Sequence, residues 1–265
     1  MSAHLLRLAR SPAWPMLEAP FSVGVWAAAL GVMTATATTA MAVNPFVPFK
    51  ETHPYLGARG MAACVKLTGS SLRITYDPGF DREQRSVFCQ NHVSMLDGHV
   101  ACAVVPHAFC GLMNHWHFHV PGYGWIMRMA NGIQVFPKDA GRTQEITDAA
   151  KARVAEGISI LAFPEAHRTR DGHVQAYRRG VFFMARDAGI PVVPVAVRGL
   201  YHVNHKGEWR FRPGVIDVYV GPQQPVLGLE DDGVSALAAR MQAFNARWVD
   251  EGRADVALLD GGGTP

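Results

Sequence analysis

Charge is scarce in this chain. Asp, Glu, Lys and Arg make up 18% of the 265 residues, against 49% hydrophobic ones. That composition is too apolar for a disordered chain and ample for a sizeable core. The net charge is only +3 at pH 7, which gives no footprint for nucleic acid. Four cysteines, Cys64, Cys89, Cys102 and Cys110, show no C-x-x-C spacing. Their apolar surroundings suit buried thiols in a reduced, cytosol-facing domain. Internal repeats are also absent.

Charge is missing altogether from Phe21 to Val43. At about 1.5 Å per residue this stretch is long enough to cross a hydrocarbon core of about 30 Å, although its alanines and threonines dilute its hydrophobicity. It starts late, after Pro12, Pro15 and Pro20, which argues against a cleaved export signal. Arg7 and Arg10 precede it, while Lys50, Arg59 and Lys66 follow, so basic flanks assign no orientation. A span and a helix lying in one leaflet fit equally well. We expect a membrane-associating segment over 1–53, a catalytic domain over 54–255 and a flexible tail over 256–265. From Glu165 to Arg212, nine Lys and Arg stand against four Asp and Glu, a local +5 suited to anionic headgroups or phosphates.

Beyond Pro54 the pattern alternates. SLRITYD, SVFCQ, GIQVF, GISILAF, PVVPVAV and GVIDVYVG read as strands. SMLDGHVACAVV, TQEITDAAKARVAEG and RRGVFFMARDAG, the last closed by Gly189, read as helices, with a final one over 233–251. The expectation is an α/β fold: a mixed, largely parallel central sheet flanked by helices, preceded by the apolar N-terminal segment.

Two polar clusters fall at strand ends, where α/β proteins commonly meet their ligands. In QNHVSMLDGH, His92 and Asp97 are five apart, out of contact on one continuous helix. If Ser94 caps the helix and Asp97 takes its third position, the preceding chain can bring His92 beside the carboxylate. A carboxylate on one imidazole nitrogen leaves the other free to take a proton. The spacing alone equally fits a simple capping pair. The second cluster, FPEAHRTRDG, follows GISILA. Arg168 there offers planar donors suited to phosphate, and Glu165 can orient that guanidinium or accept from a hydroxyl; a plain strand-end ion pair is the alternative. His115, His117 and His119 alternate in NHWHFHVP, which on a strand would share one face and form part of a metal site.

NHVSMLD resembles the NHxxxxD block of the glycerolipid acyltransferase family. PGYGWIMRMANGIQVFPKD, FPEAHR and IPVVPVAVRG resemble its three later blocks in order. The resemblance covers roughly 85–200, and four ordered blocks are far more specific than one. It implies an enzyme moving a fatty acyl group from acyl-CoA or acyl carrier protein to a lysophospholipid hydroxyl, foremost 1-acyl-glycerol-3-phosphate, with an amino-acid-based lyso-lipid as the alternative acceptor. A noncatalytic lipid-binding membrane protein on the same fold is a further alternative. His92 would be the general base and Asp97 its orienting partner, with backbone donors near the helix start holding the oxyanion. Glu165, Arg168 and Lys138 would bind substrate. No metal or other cofactor is implied; the partners are membrane lipids, the acceptor and the acyl donor, on a membrane with the site facing the cytoplasm. Ala166 and His167 depart from the usual Gly and Thr of the third block, which leaves the acceptor less defined than the chemistry.

Overall fold

The computed structural model describes residues 2–121, 123–136 and 140–259. Seven strands, β1 (Ser71–Tyr76), β2 (Val87–Gln90), β3 (Phe109–Asn114), β4 (Ile133–Val135), β5 (Ser159–Ala162), β6 (Val192–Arg198) and β7 (Val215–Val220), form one sheet in the order β1-β7-β6-β2-β5-β3-β4. Its pairings are parallel except β6 with β7. β2 and β5 are buried along their whole length, as expected for strands covered on both faces.

The helices are α1 (Ser2–Leu8), α2 (Trp14–Val43), α3 (Phe49–Thr52), α4 (Ala58–Leu67), α5 (Asp97–Val104), α6 (Tyr123–Met129), α7 (Thr143–Ala155), α8 (Gly180–Ala188), α9 (Leu200–Val203) and α10 (Asp231–Glu251). A π-helical turn, His53–Gly57, joins α3 to α4. Two apolar clusters fill the two sides of the sheet. One packs α8 and α10 through Phe182, Leu237, Met241 and Phe244; the other packs α4 and α5 through Val65, Val100 and Val104. Gly189 closes α8 at φ 69°, a left-handed angle that glycine takes without strain.

The fold matches the expected class, with three differences in detail. β3 was not among the expected strands: its half-buried FCGLMN lacks the period-two alternation that marks a strand. The N-terminal helix begins at Trp14 rather than Phe21, because Pro15 occupies its first turn, where proline is tolerated, and the helix continues through Pro20. At the other end, Val256–Leu258 form a 3-10 turn and Leu259 is 2% exposed, so ordered chain runs beyond 255; residues 260–265 lie outside the described ones.

α2 does not stand apart from the domain. Glu18 is buried and accepts hydrogen bonds from Arg212 Nη2 at 3.0 Å and Trp14 Nε1 at 3.2 Å. Ser22 Oγ accepts from the Phe211 amide at 2.8 Å, and Trp26 Nε1 donates to the Trp209 carbonyl at 2.8 Å. A buried carboxylate is tolerated only when paired, and here the pairing clamps the first half of α2 onto the 209–212 segment. Its second half leaves that clamp to line a cavity through Met33, Thr36, Ala37 and Ala40. Arg210 and Arg212 pair with Glu208 and Glu18, and Arg186 with Asp187 and Asp231; of these, Glu18 and Asp231 lie outside 165–212 and offset part of the +5 seen in the sequence.

Candidate active site

His92 lies just past β2, in a short loop that three polar side chains hold in place. Asn91 clamps β6 by accepting from the Val197 amide at 2.7 Å and donating to the Val197 carbonyl at 3.0 Å. Gln90 Nε2 donates to the Asp97 carbonyl at 3.2 Å, and Ser94 Oγ bonds Asn204 Oδ1 at 3.0 Å. Much of the expected capping arrangement forms, with Ser94 Oγ accepting from the Leu96 amide at 3.2 Å. α5 starts at Asp97 itself, and the Asp97 carboxylate reaches back to accept from the Val93 and Ser94 amides, each at 2.8 Å.

The same oxygen, Asp97 Oδ2, meets His92 Nδ1 at 2.6 Å. A carboxylate only accepts, so Nδ1 carries the proton and Nε2 is left with its lone pair. Asp97 is 1% exposed, while the His92 side chain keeps 22% of its surface open. The imidazole stacks on Phe163, centroids 4.1 Å apart and planes 15° from parallel. Helix periodicity gave no hint of Phe163; its place directly after β5 and its place at the head of the FPEAHR block were the available signals. The Val93 and Ser94 amides are committed to Asp97, and the Leu96 amide donates to Ser94 Oγ at 3.2 Å. These are therefore not the free oxyanion donors expected near the helix start.

The 163–172 loop folds over this pair. Thr169 donates its amide to the His92 carbonyl at 2.8 Å. Glu165 Oε1 accepts from the His92 amide at 2.7 Å and Oε2 from the Gln175 amide at 2.9 Å. Glu165 is 5% exposed, and the described residues show no ion pair between it and Arg168. Burial pushes its carboxyl up to about 7, helped by the charges of Asp97 and Asp171 and opposed by the two amides. The sequence suggested Glu165 as a partner for Arg168 or substrate; its two oxygens instead take the His92 and Gln175 amides. Ala166, where related sequences usually have glycine, sits at φ 61°, a left-handed angle that costs a residue with a Cβ roughly 1 kcal/mol.

His92 opens onto a cavity of about 1840 Å³, large enough for a long lipid chain. Met61, Cys102, Leu112, Ile126, Leu161 and Phe163 supply apolar wall. His167, Arg168 and Arg178 stand on its lining with His92, and no Asp or Glu is found among the described lining residues. Arg168 has no carboxylate partner among the described residues. Arg178 was not singled out in the sequence, where it is one arginine of YRRG. Lys138 lies outside the described residues.

The His115–His119 segment is a 3-10 helix rather than a strand, because β3 ends at Asn114, whose side chain accepts from the Trp116 amide and starts the turn. His115 stacks on Phe136 and meets His119 edge-on with centroids 6.0 Å apart, while His117 stacks on Trp116. Among the described residues no three His, Cys, Asp or Glu side chains gather as metal ligands.

Fold and site together define a mixed α/β domain that presents a carboxylate-held histidine at the strand ends, facing an apolar cavity with a cationic rim. Residues 71–198 match the sequence model of the family described as Acyltransferase. Among curated proteins the chain is similar to a 1-acyl-sn-glycerol-3-phosphate acyltransferase of Limnanthes douglasii, 26% identical over 53% of this chain and 50% of that one. It is similar also to 1-acyl-sn-glycerol-3-phosphate acyltransferase alpha of Bos taurus, 28% identical over 62% of this chain and 57% of that one. The chain thus spans about half the length of the curated relatives it matches. Among solved structures, the 1-acyl-sn-glycerophosphate acyltransferase PlsC from Thermotoga maritima superposes with a TM-score of 0.74, covering 91% of this chain and 98% of that one at 18% identity, which is a likeness of fold.

Proposed function

We propose that this protein transfers a fatty acyl group from a thioester of coenzyme A or acyl carrier protein to the free hydroxyl of 1-acyl-glycerol-3-phosphate, giving phosphatidate. The observation that carries this reading is a His92–Asp97 pair opening on an apolar cavity whose described lining holds Arg168 and Arg178 and no carboxylate. The similarity to proteins named as 1-acyl-sn-glycerol-3-phosphate acyltransferases supports it.

His92 Nε2 takes the proton of the acceptor hydroxyl as its oxygen attacks the thioester carbonyl carbon. The carbonyl π electrons move to oxygen, forming a tetrahedral oxyanion. As that collapses, the carbon–sulfur bond breaks and the departing sulfur takes the proton from His92, leaving ester and free thiol. Asp97 fixes the tautomer and stabilises the transient imidazolium. No side chain in this scheme forms a covalent acyl intermediate, and no metal or organic cofactor takes part; chelators should leave the rate unchanged.

Arg168, with Arg178 beside it on the cavity lining, holds the acceptor phosphate and turns encounter into oriented attack. Glu165 acts as a positioning residue, fixing the His92 peptide through its amide. Lys138 retains its proposed place on the phosphate from the family resemblance alone. The amino-acid-based acceptor fits less well, since its free ammonium would meet a described lining without a carboxylate to pair with.

The apolar α2, with Met16, Val23 and Leu30 exposed at 83%, 59% and 69%, supports membrane association, with the site on the cytoplasmic side where thioester donors are made. α2 is long and apolar enough to cross a bilayer, while its clamp through Glu18 favours a helix lying along the surface. Mass spectrometry of the lipid product from a panel of lyso-acceptors tests the assignment. Phosphatidate formed in preference to other products supports it, and acylation of an amino-acid lyso-lipid alone would overturn it.

A further inference from the structure

The cavity has a second polar end. Where α2 gives way to α3 and the π-helical turn, Asn44, Thr52 and His53 all reach its lining. Thr52 Oγ1 donates to Asn44 Oδ1 at 2.9 Å. His53 is 9% exposed, and its ring lies between Phe49 and Phe109, with centroids 5.0 and 4.8 Å away. Its Nδ1 is buried with no hydrogen-bond partner among the described residues. Burial lowers its pKa to about 4, with His107 adding to the shift, so at neutral pH it is an uncharged group able to donate or accept. An unpartnered polar nitrogen in an apolar wall costs stability unless something pairs with it. The π-helical turn that sets His53, Leu56 and Gly57 on the lining is itself a rare element, frequent at functional sites.

The strand register gives the distance to the reacting centre. His53 packs on Phe109, which pairs with Ser159 of β5, whereas His92 stacks on Phe163, four positions further along the same chain. At strand rise this separates the two ends by roughly 13 Å. A zigzag carbon chain of roughly 1.5 Å bonds covers that span with about ten carbons.

We propose that the Asn44–Thr52–His53 end of the cavity is a specificity pocket for a hydroxyl carried by the acyl chain about ten carbons from its thioester, so that the protein selects mid-chain hydroxylated acyl donors over unsubstituted ones. The inference rests on the acyl-transfer reading of the His92 site.

The test compares thiol release from octadecanoyl-CoA and 10-hydroxyoctadecanoyl-CoA with 1-acyl-glycerol-3-phosphate as acceptor. The expected kcat/KM ratio favours the hydroxylated donor by roughly threefold to tenfold, the size of one net hydrogen bond. His53→Phe and, separately, Thr52→Val should bring that ratio to about one. Equal wild-type values, or a ratio that survives both substitutions, overturn the inference while leaving acyl transfer intact. Absence of release from either thioester would instead count against the transfer reading. The pocket is then decided on the same protein by thermal shift, where 10-hydroxyoctadecanoate must raise Tm more than octadecanoate does, and equal shifts overturn it.

Discussion

Two histidines at opposite ends of the parallel strands each carry a short bond to a buried oxygen. His107 stands where β3 begins: Nε2 meets Ser159 Oγ at 2.5 Å and Nδ1 meets the Arg82 carbonyl at 3.2 Å. His92 stands past the end of β2, with Nδ1 on Asp97 and a face open to the cavity. The first pair has the residue types of a nucleophile and its base, yet both imidazole nitrogens are occupied and Ser159 is fully buried. It ties the base of β3 to the Arg82 loop. The second leaves one nitrogen free beside space for a ligand. Chemistry follows from the unoccupied valence, and residue type or bond length alone would not separate the two.

Substitutions should break this contrast in opposite ways. His92→Ala should lower turnover by about a thousandfold or more with little change in Tm; a large Tm loss would move His92 into the structural class with His107. Arg168→Ala should raise the acceptor KM by roughly tenfold to a hundredfold with a smaller effect on kcat, as expected for a lost charged hydrogen bond. Steady-state kinetics against acceptor concentration would show it, and an unchanged KM would remove Arg168 from the acceptor site. Glu165→Gln should cut kcat by roughly tenfold, because the amide side chain has one acceptor oxygen for two backbone donors; Glu165→Asp should not restore it if reach to both amides is what matters.

His107→Ala should destabilise the fold by about 1–3 kcal/mol, since it removes the ring's two bonds and leaves the buried Ser159 hydroxyl with the Ser86 amide alone, while activity per folded molecule persists. Denaturant titration beside kinetics separates these. Ala166→Gly should add about 0.5–1 kcal/mol to stability by relieving the left-handed angle, measurable as a rise in Tm.

pH sharpens the comparison further. Burial lowers His107 to about 4, with Arg85 adding to the shift. Between that value and the ordinary imidazole range the unfolded chain binds more protons than the folded one, so His107 contributes stability that is lost as pH falls through this window. Glu165, raised to about 7, has the opposite sign. Above the ordinary carboxyl range the folded state holds the extra proton, so its contribution to stability declines as pH rises toward 7. The two windows overlap, about 4 to 6.5 for His107 and 4.5 to about 7 for Glu165, so the sign separates them: His107→Ala should remove a rise of Tm with pH there, and Glu165→Gln should remove a fall.

Much of this architecture was legible before any coordinates. The strands rich in β-branched residues, such as PVVPVAV, and the periodic helices fell where expected, because local pattern and burial agree there. His92 and Asp97 could be paired in the sequence because NHVSMLD resembles the NHxxxxD block and three later blocks follow in order; the five-residue spacing added only that the two cannot meet on one continuous helix. Side-chain direction was not legible. Spacing could not tell that Glu165 would turn inward to the His92 peptide, or that the alternating histidines after Asn114 would wind into a 3-10 helix. Those outcomes depend on which backbone donors tertiary contacts leave unpaired. Glu18 and the Asn44–Thr52–His53 cluster were hidden for the same reason, since their partners lie far along the chain or across the cavity.

The central claim is that His92 acts as the base for transfer to a phosphate-bearing acceptor. Free-thiol release from a long-chain acyl-CoA, measured with and without 1-acyl-glycerol-3-phosphate on the wild type and on His92→Ala, tests it most directly. The account predicts release that depends on the acceptor and vanishes in the variant; acceptor-dependent release at wild-type rate in His92→Ala would contradict it.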